Sequence, residues 1–555
     1  MNAGRARRFL LVDPCLTGLG SHPYHYAELV LAAAERAGCE CLMVTHRECR
    51  AATGRWPTIP AFTHTAYSKY NLYGGLDRLD RRGRPSVLSD LPWTARHARL
   101  RREERVATFA RELLPALEGL AAGDVVLVAT ASELEAAGLS RAVAAARPPA
   151  GVGWHVLFHF PILRGFPADF ARQEPRLAEA RALLRAATAA AGHVVHHHAT
   201  TEELAAQYAR LVPGAVDVLP YPVQAPPRGP RHAGPLRVAC LGDARPEKHS
   251  GCLAAVVATV AADPELAGRV RFAVQTNPGY PRASRRREHV AVTRCLAALS
   301  RAAEAGAPVE LLAGPLDAGA YARELAAADI VLLPYDQDRY RSRCSGIVLE
   351  ALVTGAVPIL TGGGWMARQI APAVAAHTAD LMARAKVLAT RRIAAPRLGR
   401  RSLAIDVPAP AAGAGQPALA VEVAWAGSPE ERLQAPPVRV AVAGAARPPT
   451  VLAADGDGVA TAVFPLEAAA GPVLVAPACG APAAAPAAIT VRALAVAGPV
   501  PASAVGLVID APADVPEAIR EVARHVAHYR ATAAAGAEAV RRSASADEIV
   551  RRLLG

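Results

Sequence analysis

Short apolar runs alternate with longer stretches of helical spacing through the first two thirds of the chain. Phe9–Val12 is an unbroken apolar run between Arg8 and Asp13, as expected of a strand covered on both faces. Tyr26–Ala37 then reads as a helix and Glu40–Val44 as a strand. Further strands are expected at Asp124–Ala129, Trp154–His159, His193–His197 and Val216–Leu219, with helices at Pro175–Ala190 and Thr201–Arg210. A stretch rich in Pro, Gly and Arg from Pro222 to Pro235 interrupts the pattern. It restarts with strands at Leu236–Leu241, Val270–Gln275, Val309–Leu312, Ile330–Pro334 and Val357–Leu360. The helices between them are Gly251–Ala261, Arg287–Ala305, Ala318–Ala328 and Gly346–Thr354. Strands alternating with helices predict βαβ units and mostly parallel sheets. Two such sheets joined by a linker leave a cleft, and ligands bind at the carboxyl ends of the strands.

After Pro396 the period changes from helical to two. Leu403–Val407, Leu419–Val423, Val438–Val442, Val459–Phe464 and Ile489–Leu494 alternate between turns such as Asp455-Gly456-Asp457-Gly458. The pattern predicts a small β-sandwich; the competing reading is a low-complexity Ala/Pro linker. The α/β pattern returns with a strand at Val505–Ile509 and helices at Val515–Ala533 and Ala546–Leu553, so the β-rich segment is inserted and not appended. The division expected is an α/β Rossmann-like domain at 1–222, a second at 236–396 completed by 499–555, and a β-sandwich-like insertion at 397–498. Such an insertion is expected to lie outside the cleft and to be removable.

Composition excludes several classes. Hydrophobic residues are 52% and charged residues 20% of 555, ample for large cores and unlike a disordered chain. The net charge of +13 is scattered in Arg clusters such as Arg285-Arg286-Arg287, with no nucleic-acid-binding signature, so no nucleic-acid partner is expected. Nine cysteines without paired Cys-x-x-Cys spacing suggest reduced thiols in a cytoplasm and no zinc site. Asp13 and Pro14 cut the first apolar run too short for a signal peptide, and no run reads as a membrane span.

Two loops carry the candidate chemistry. Gly242-Asp243-Ala244-Arg245-Pro246-Glu247-Lys248 follows a strand and places two cations three residues apart. An arginine fork and a lysine point charge suit a diphosphate, as does a helix N-terminus nearby. Alone, the loop reads equally as a solvated basic turn. The second stretch ends a loop at Ser345-Gly346 and starts a helix, Ile347-Val348-Leu349-Glu350-Ala351-Leu352. Backbone N–H groups at Ser345 and Gly346 can hold phosphate oxygens. Glu350, one turn further along, is an acid inside an apolar pattern and can accept both hydroxyls of a ribose.

With these motifs the chain resembles glycosyltransferase family 4 enzymes of the GT-B fold. The matching residues are Gly242, Arg245, Glu247 and Lys248; Tyr321 with Ala328–Tyr335; Ser345-Gly346-Ile347, Glu350-Ala351, Gly355 and Pro358; and Gly18-Leu19-Gly20-Ser21 in the first domain, with Pro220-Tyr221-Pro222 before the linker. The resemblance implies a UDP- or GDP-sugar as donor substrate, no bound cofactor or metal, and retention at the anomeric carbon. It assigns the diphosphate to Arg245 and Lys248, the ribose to Glu350, and a glycine-rich loop to Gly18 and Gly20. The acceptor it implies is a glycan, a lipid or a small molecule, in a cytoplasmic protein with peripheral membrane association as one option.

One departure stands out: the family often carries a second glutamate seven residues before the one at 350, and here that position is Ser342. Asp336, Asp338 or Arg343 substitutes for it, or the donor binds differently, or transfer is lost and the fold serves as a binding scaffold. His159, at a strand end before Phe160-Pro161, is a candidate to contact sugar or acceptor, with His22, His25 and Arg164 beside it. His155, His193, His196, His197 and His198 cluster without a completing carboxylate or thiol, so a packed role competes with a metal role. Walker, dinucleotide-binding glycine and serine-nucleophile fingerprints do not occur in context.

Overall fold

All seven strands of the first sheet run in one direction, the arrangement that buried apolar runs separated by crossover helices impose. The computed structural model describes residues 5–18, 22–49, 55–66, 92–163, 170, 173–191, 193–223, 234–280, 284, 286–383, 385–394, 402–408, 418–428, 431–432, 435–445, 447–454, 457–466, 471–478, 488–496 and 500–555. In chain order the first domain holds β1 (Arg8–Asp13), α1 (His22–Arg36), β2 (Glu40–His46), β3 (Thr58–Phe62), α2 (Pro92–Leu113), β4 (Val125–Ala131), α3 (Glu133–Ala146), β5 (Gly153–Phe158), α4 (Glu174–Ala191), β6 (Val195–Ala199), α5 (Glu202–Tyr208) and β7 (Val216–Val218). The order across the sheet is β3-β2-β1-β4-β5-β6-β7.

The second domain repeats the plan with β8 (Leu236–Cys240), α6 (Leu253–Ala262), β9 (Val270–Gln275), α7 (Arg287–Glu304), β10 (Val309–Leu312), α8 (Ala318–Ala327), β11 (Ile330–Leu333), α9 (Gln337–Tyr340), α10 (Gly346–Thr354), β12 (Val357–Thr361), α11 (Trp365–Arg368) and α12 (Ala371–Ala383). Its six parallel strands are ordered β10-β9-β8-β11-β12-β21, where β21 is Leu507–Ile509. In both sheets the strand order therefore reverses next to the first strand, between β1 and β4 and between β8 and β11. At such switch points two loops leave the sheet in opposite directions and open a crevice. These are the two Rossmann-like domains expected of a GT-B fold.

Between Lys386 and Val496 lies the insertion. Its strands are β13 (Lys386–Ile393), β14 (Leu403–Ile405), β15 (Ala418–Trp425), β16 (Val438–Val442), β17 (Thr450–Leu452), β18 (Val459–Pro465), β19 (Val473–Pro477) and β20 (Ile489–Val496). They form two four-stranded antiparallel sheets, β13-β20-β15-β18 and β14-β19-β16-β17. Val421, Trp425, Val440, Phe464 and Val475 fill the space between them. The alternation of period two thus reports a sandwich with a core, and the linker reading is set aside. Because β13 pairs along its length with β20, the β-rich unit begins at Lys386, ahead of position 397.

The insertion does not stand clear of the second domain. Thr450 Oγ1 donates to the Val508 carbonyl at 2.8 Å, and Arg439 pairs with Asp510 at 3.0 Å. Arg447, buried against the ring of Phe464, donates to the carbonyls of both Val463 and Ala502. The insertion docks at the carboxyl end of β21. After it come α13 (Val515–Arg524), α14 (Val526–Ser543) and α15 (Ala546–Leu554). The single helix expected at Val515–Ala533 breaks at His525, whose backbone leaves the helical region. Helix α15 crosses to the first domain and packs on α1, with Arg36 pairing to Asp547 at 2.6 Å. Among the described residues no helix is long and apolar enough to cross a membrane.

The histidine cluster lies on β5 and β6. His155 and His198 share a hydrogen bond at 3.0 Å, and His196 stacks on His155 from the same face, as the His-x-His spacing requires. His197 points to the other face and stacks on Phe158. Among the described residues no group of side chains suits a metal ion. Burial pushes His155 and His198 down to about 3 and His159 and His197 down to about 4. These imidazoles fold neutral, so the unfolded chain binds more protons below pH 6.5 and stability falls as pH drops from there towards 4. Buried Asp13, raised to about 6, acts oppositely but is one group against four. Urea unfolding is therefore expected to show a loss of at least ~3 kcal/mol between pH 7 and pH 5; a flat profile over that range contradicts neutral packing of the histidines.

Candidate functional site

The loop after β8 and the loop after β11 flank the switch point of the second sheet, and hydrogen bonds hold them to each other. Asp336 N donates to the Glu247 carbonyl at 2.9 Å, His249 Nδ1 meets the Pro334 carbonyl, and Arg339 reaches Glu247 at 3.5 Å. Gly242 opens the first loop at φ +85°, a backbone that favours glycine. A Cβ there would come within 2.6 Å of Lys248 Nζ. Glycine therefore makes the turn and also leaves room for the ammonium.

Arg245 is held from two sides. Its Nη2 donates to Asp243 Oδ2 at 2.5 Å, and Asp243 Oδ1 accepts from Asn277 Nδ2 at 2.6 Å. Gln275 completes the chain, donating to Asn277 at 2.6 Å and accepting from Gly242 N at 2.7 Å. Gly279 lets the neighbouring loop pass over the guanidinium, since a Cβ on it would lie 2.5 Å from Arg245 Nε. Burial alone would raise Asp243, yet Arg245 and Asn277 hold its carboxyl below the usual range.

Lys248 is the less satisfied cation. Its Nζ lies 5.5 Å from the centre of the Tyr335 ring, and among the described residues no hydrogen bond or ion pair reaches it. Burial, and then the nearby charge of Arg245, push it down to about 8. An anion placed between Arg245 and Lys248 would relieve both effects.

Across the crevice Ser345 caps α10 without using its side chain, and the first N–H groups of that helix have no intrahelical acceptor. Gly346 is needed here for packing: a Cβ would meet the Tyr221 ring, from the end of the first domain, at 3.0 Å. Glu350 is 5% exposed one turn along. Tyr321 donates to its Oε2 at 2.5 Å, and Oε1 has no partner among the described residues. Burial and then Glu350 raise the Tyr321 hydroxyl far above its usual range.

The remaining expected residues divide. Asp336 caps α9, accepting from Arg339 N at 3.2 Å, so its carboxylate is partly committed. Asp338 is exposed. Arg343 is half-buried, with its guanidinium 6.0 Å from the Tyr340 ring. Ser342, where an acid was expected, is buried, and its carbonyl accepts from Thr201 of the first domain at 2.9 Å. His159 sits just past β5; its ring donates to the Ala129 carbonyl, which leaves Nε2 as the acceptor, buried and without a partner among the described residues. Gly18 lies in the loop after β1, whereas Gly20 and Arg164 fall outside the described residues.

Two residues not singled out in the sequence complete the first domain's side. Tyr26 of α1 stands edge-on to His159, ring centres 6.3 Å apart, with a buried hydroxyl that has no partner among the described residues. Asp13 ends β1 beneath them, accepting from Cys15 N and Thr130 Oγ1 at 2.8 Å each. Asp13 could have been noticed as the acid that closes a buried run; Tyr26 carries no such signal, because its helical spacing fits a core residue. Thus Tyr26, His159, Tyr221, Gly346 and Glu350 line a path from one set of strand ends to the other.

No family model matches the chain, and no curated protein matches it. Among solved structures it is similar to a UDP-forming α,α-trehalose-phosphate synthase from Burkholderia xenovorans, at 11% identity and TM-score 0.45, covering 66% of this chain and 86% of that one. It is also similar to an E. coli trehalose-6-phosphate protein bound with UDP-2-fluoro glucose, at 12% and 0.42, covering 66% and 86%. A third is Anabaena HepE in complex with UDP, at 12% and 0.38, covering 65% and 82%. At this identity and overlap the likenesses bear on neither the activity nor the role of any residue.

Removing the Tyr321 hydroxyl withdraws a donor from a buried carboxylate. Tyr321→Phe should therefore cost ~1–3 kcal/mol in urea unfolding, and adding Glu350→Gln should recover part of it. A neutral Tyr321→Phe would show that the pair is not the support of Glu350.

Proposed function

We propose that the protein is a glycosyltransferase that takes a sugar from a UDP- or GDP-sugar and places it on a hydroxyl of a glycan, lipid or small-molecule acceptor. The observation that carries this reading is the set of charges around the second switch point. Arg245 is pre-aligned by Asp243, Lys248 makes no hydrogen bond or ion pair among the described residues, the side chain of Ser345 leaves the start of α10 uncapped, and Glu350 lies one turn beyond. That is a cradle for a diphosphate with a ribose attached.

In this reading Lys248 and Arg245 take the diphosphate oxygens, helped by the N–H groups of Ser345 and Gly346. Glu350 Oε1 accepts from the ribose. As the bond from sugar to phosphate lengthens, negative charge grows on the leaving diphosphate, where two fixed cations and a helix N-terminus meet it without rearrangement. His159 Nε2, kept neutral, accepts from a sugar hydroxyl, with the Tyr26 hydroxyl beside it as donor. The acceptor enters past the first domain's strand ends, near Gly18. None of the eight described cysteines is in a disulfide, in keeping with a cytoplasmic setting.

A second reading is a binding scaffold on the same fold. It is favoured by Ser342, whose carbonyl is engaged by Thr201, and by Asp336, which is occupied as a helix cap. The two readings share the nucleotide site and part at turnover.

UDP- or GDP-sugar at ~100 times its dissociation constant should stabilise the protein by ~2.7 kcal/mol, whereas NAD and ATP should not. Arg245→Ala and Lys248→Ala should each weaken donor binding by about 10–100-fold. Lys248→Ala should leave thermal stability unchanged or raised, because that cation is folded at a cost. Equal loss of binding and of stability would assign these residues to the fold instead; donor binding without release of nucleoside diphosphate in any acceptor mixture would favour the scaffold.

A further inference from the structure

The insertion meets the second domain at a turn of three glycines, Gly362-Gly363-Gly364, between β12 and α11. On the outer side a Cβ at Gly362 would lie 2.3 Å from Val451 Cβ of β17, and a Cβ at Gly363, which sits at φ +83°, would lie 2.8 Å from Pro437. On the inner side a Cβ at Gly364 would lie 2.8 Å from Arg341 Cα and 3.0 Å from its carbonyl oxygen. Backbone alone fits between the two. Arg341 also donates through Nη1 to the Gly363 carbonyl at 3.2 Å, and its own carbonyl accepts from Trp365 N at 3.1 Å. Gly362 N donates to the Ile509 carbonyl at 3.1 Å, and Gln337 Nε2 donates to the Asp510 carbonyl at 2.9 Å.

What lies on either side of this turn gives it meaning. Arg341 begins the segment Arg341–Ser345 that leads into α10, the proposed phosphate-binding helix. Ser342, next in the chain, is held by Thr201 of the first domain. In the other direction the turn runs into α11, whose Arg368 reaches across the cleft to Glu202 at 2.9 Å and to Glu203 Oε2 at 2.6 Å. The Glu203 pair is bidentate and mostly buried, the geometry in which an ion pair fixes orientation. Three segments therefore share one turn: the insertion's edge, the loop into the donor helix and the clamp between domains.

We infer that the inserted β-domain is a positioning part of the donor site. By packing Val451 and Pro437 on the glycine turn, and by holding the adjoining end of β21 through Thr450 and the Arg439–Asp510 pair, it sets the 340–346 segment and the Arg368 clamp. The inference deepens the proposed nucleotide site and rests on that reading for its functional meaning.

The test uses the full chain carrying Arg439→Ala with Thr450→Val, two side chains of the insertion that are remote from Arg245, Lys248 and Glu350 in the chain and in their contacts. Amide hydrogen exchange is read for residues 340–346 and 362–370, for β15 as a check that the sandwich remains folded, and for β8. Exchange at 340–346 and 362–370 should quicken at least ~tenfold while β15 and β8 stay as in the parent, and UDP should bind several-fold more weakly. Unchanged protection at 340–346 with β17 exchanging faster would overturn the inference, since docking would then be lost without effect on the donor loop. Should the sandwich itself loosen, Gly362→Ala presses on the same turn from the other side, and the reversed pair Arg439→Asp with Asp510→Arg should restore protection if the ion pair is what matters. Exchange is measured without ligand, so a parent protein that binds no UDP sinks the donor reading and leaves the coupling decided on its own.

Discussion

Parallel strands can be joined only by crossovers, and each crossover returns the chain to the same end of the sheet. That constraint, applied twice, makes the site. In both domains the first strand lies in the middle and the chain winds outward on each side of it, so the loops after β1, β4, β8 and β11 gather at carboxyl ends. The domains then meet with those ends opposed. Thr201, Tyr221 and Glu203 follow strands of the first sheet, and each touches a segment that follows a strand of the second: Ser342, Gly346 and Arg368.

Charge in this crevice is arranged ahead of any ligand. Two cations three residues apart repel each other, and burial increases the cost. The Asp243–Asn277–Gln275 chain offsets the cost for Arg245 and fixes its fork. Lys248 receives no equivalent support, and the result is a lysine pushed down to about 8. A site that holds one cation rigid and leaves another short of counter-charge is preorganised for an anion with at least two oxygens to offer.

The sequence made the sheets legible because their strands are buried on both faces and read as plain apolar runs; Phe9–Val12 and Ile330–Pro334 could hardly be anything else. Arg245, Lys248 and Glu350 drew notice as candidates for the same reason, as charged residues that break or follow such runs. The placement of the insertion was not legible. Period-two alternation in 403–494 shows a sandwich but says nothing of which edge docks where, and the three glycines at 362–364 look like an ordinary turn until Val451 and Arg341 are seen on either side. Tyr26 was hidden likewise, because on an amphipathic helix a buried tyrosine counts as apolar; Tyr321 stood out only through the resemblance, and its hydrogen bond to Glu350 is seen only in the structure.

The central claim is that Lys248 is held short of an anion that a nucleoside diphosphate supplies. Calorimetric titration of a UDP- or GDP-sugar at pH 8.5, in two buffers of different ionisation enthalpy, measures it directly. A lysine depressed to about 8 in the free protein and restored by the diphosphate takes up about three-quarters of a proton on binding at that pH. The observed heat should therefore depend on the buffer in the parent protein and not in Lys248→Arg, which stays charged in both states. Binding heats independent of buffer in the parent, or equal proton uptake in Lys248→Arg, would contradict the account.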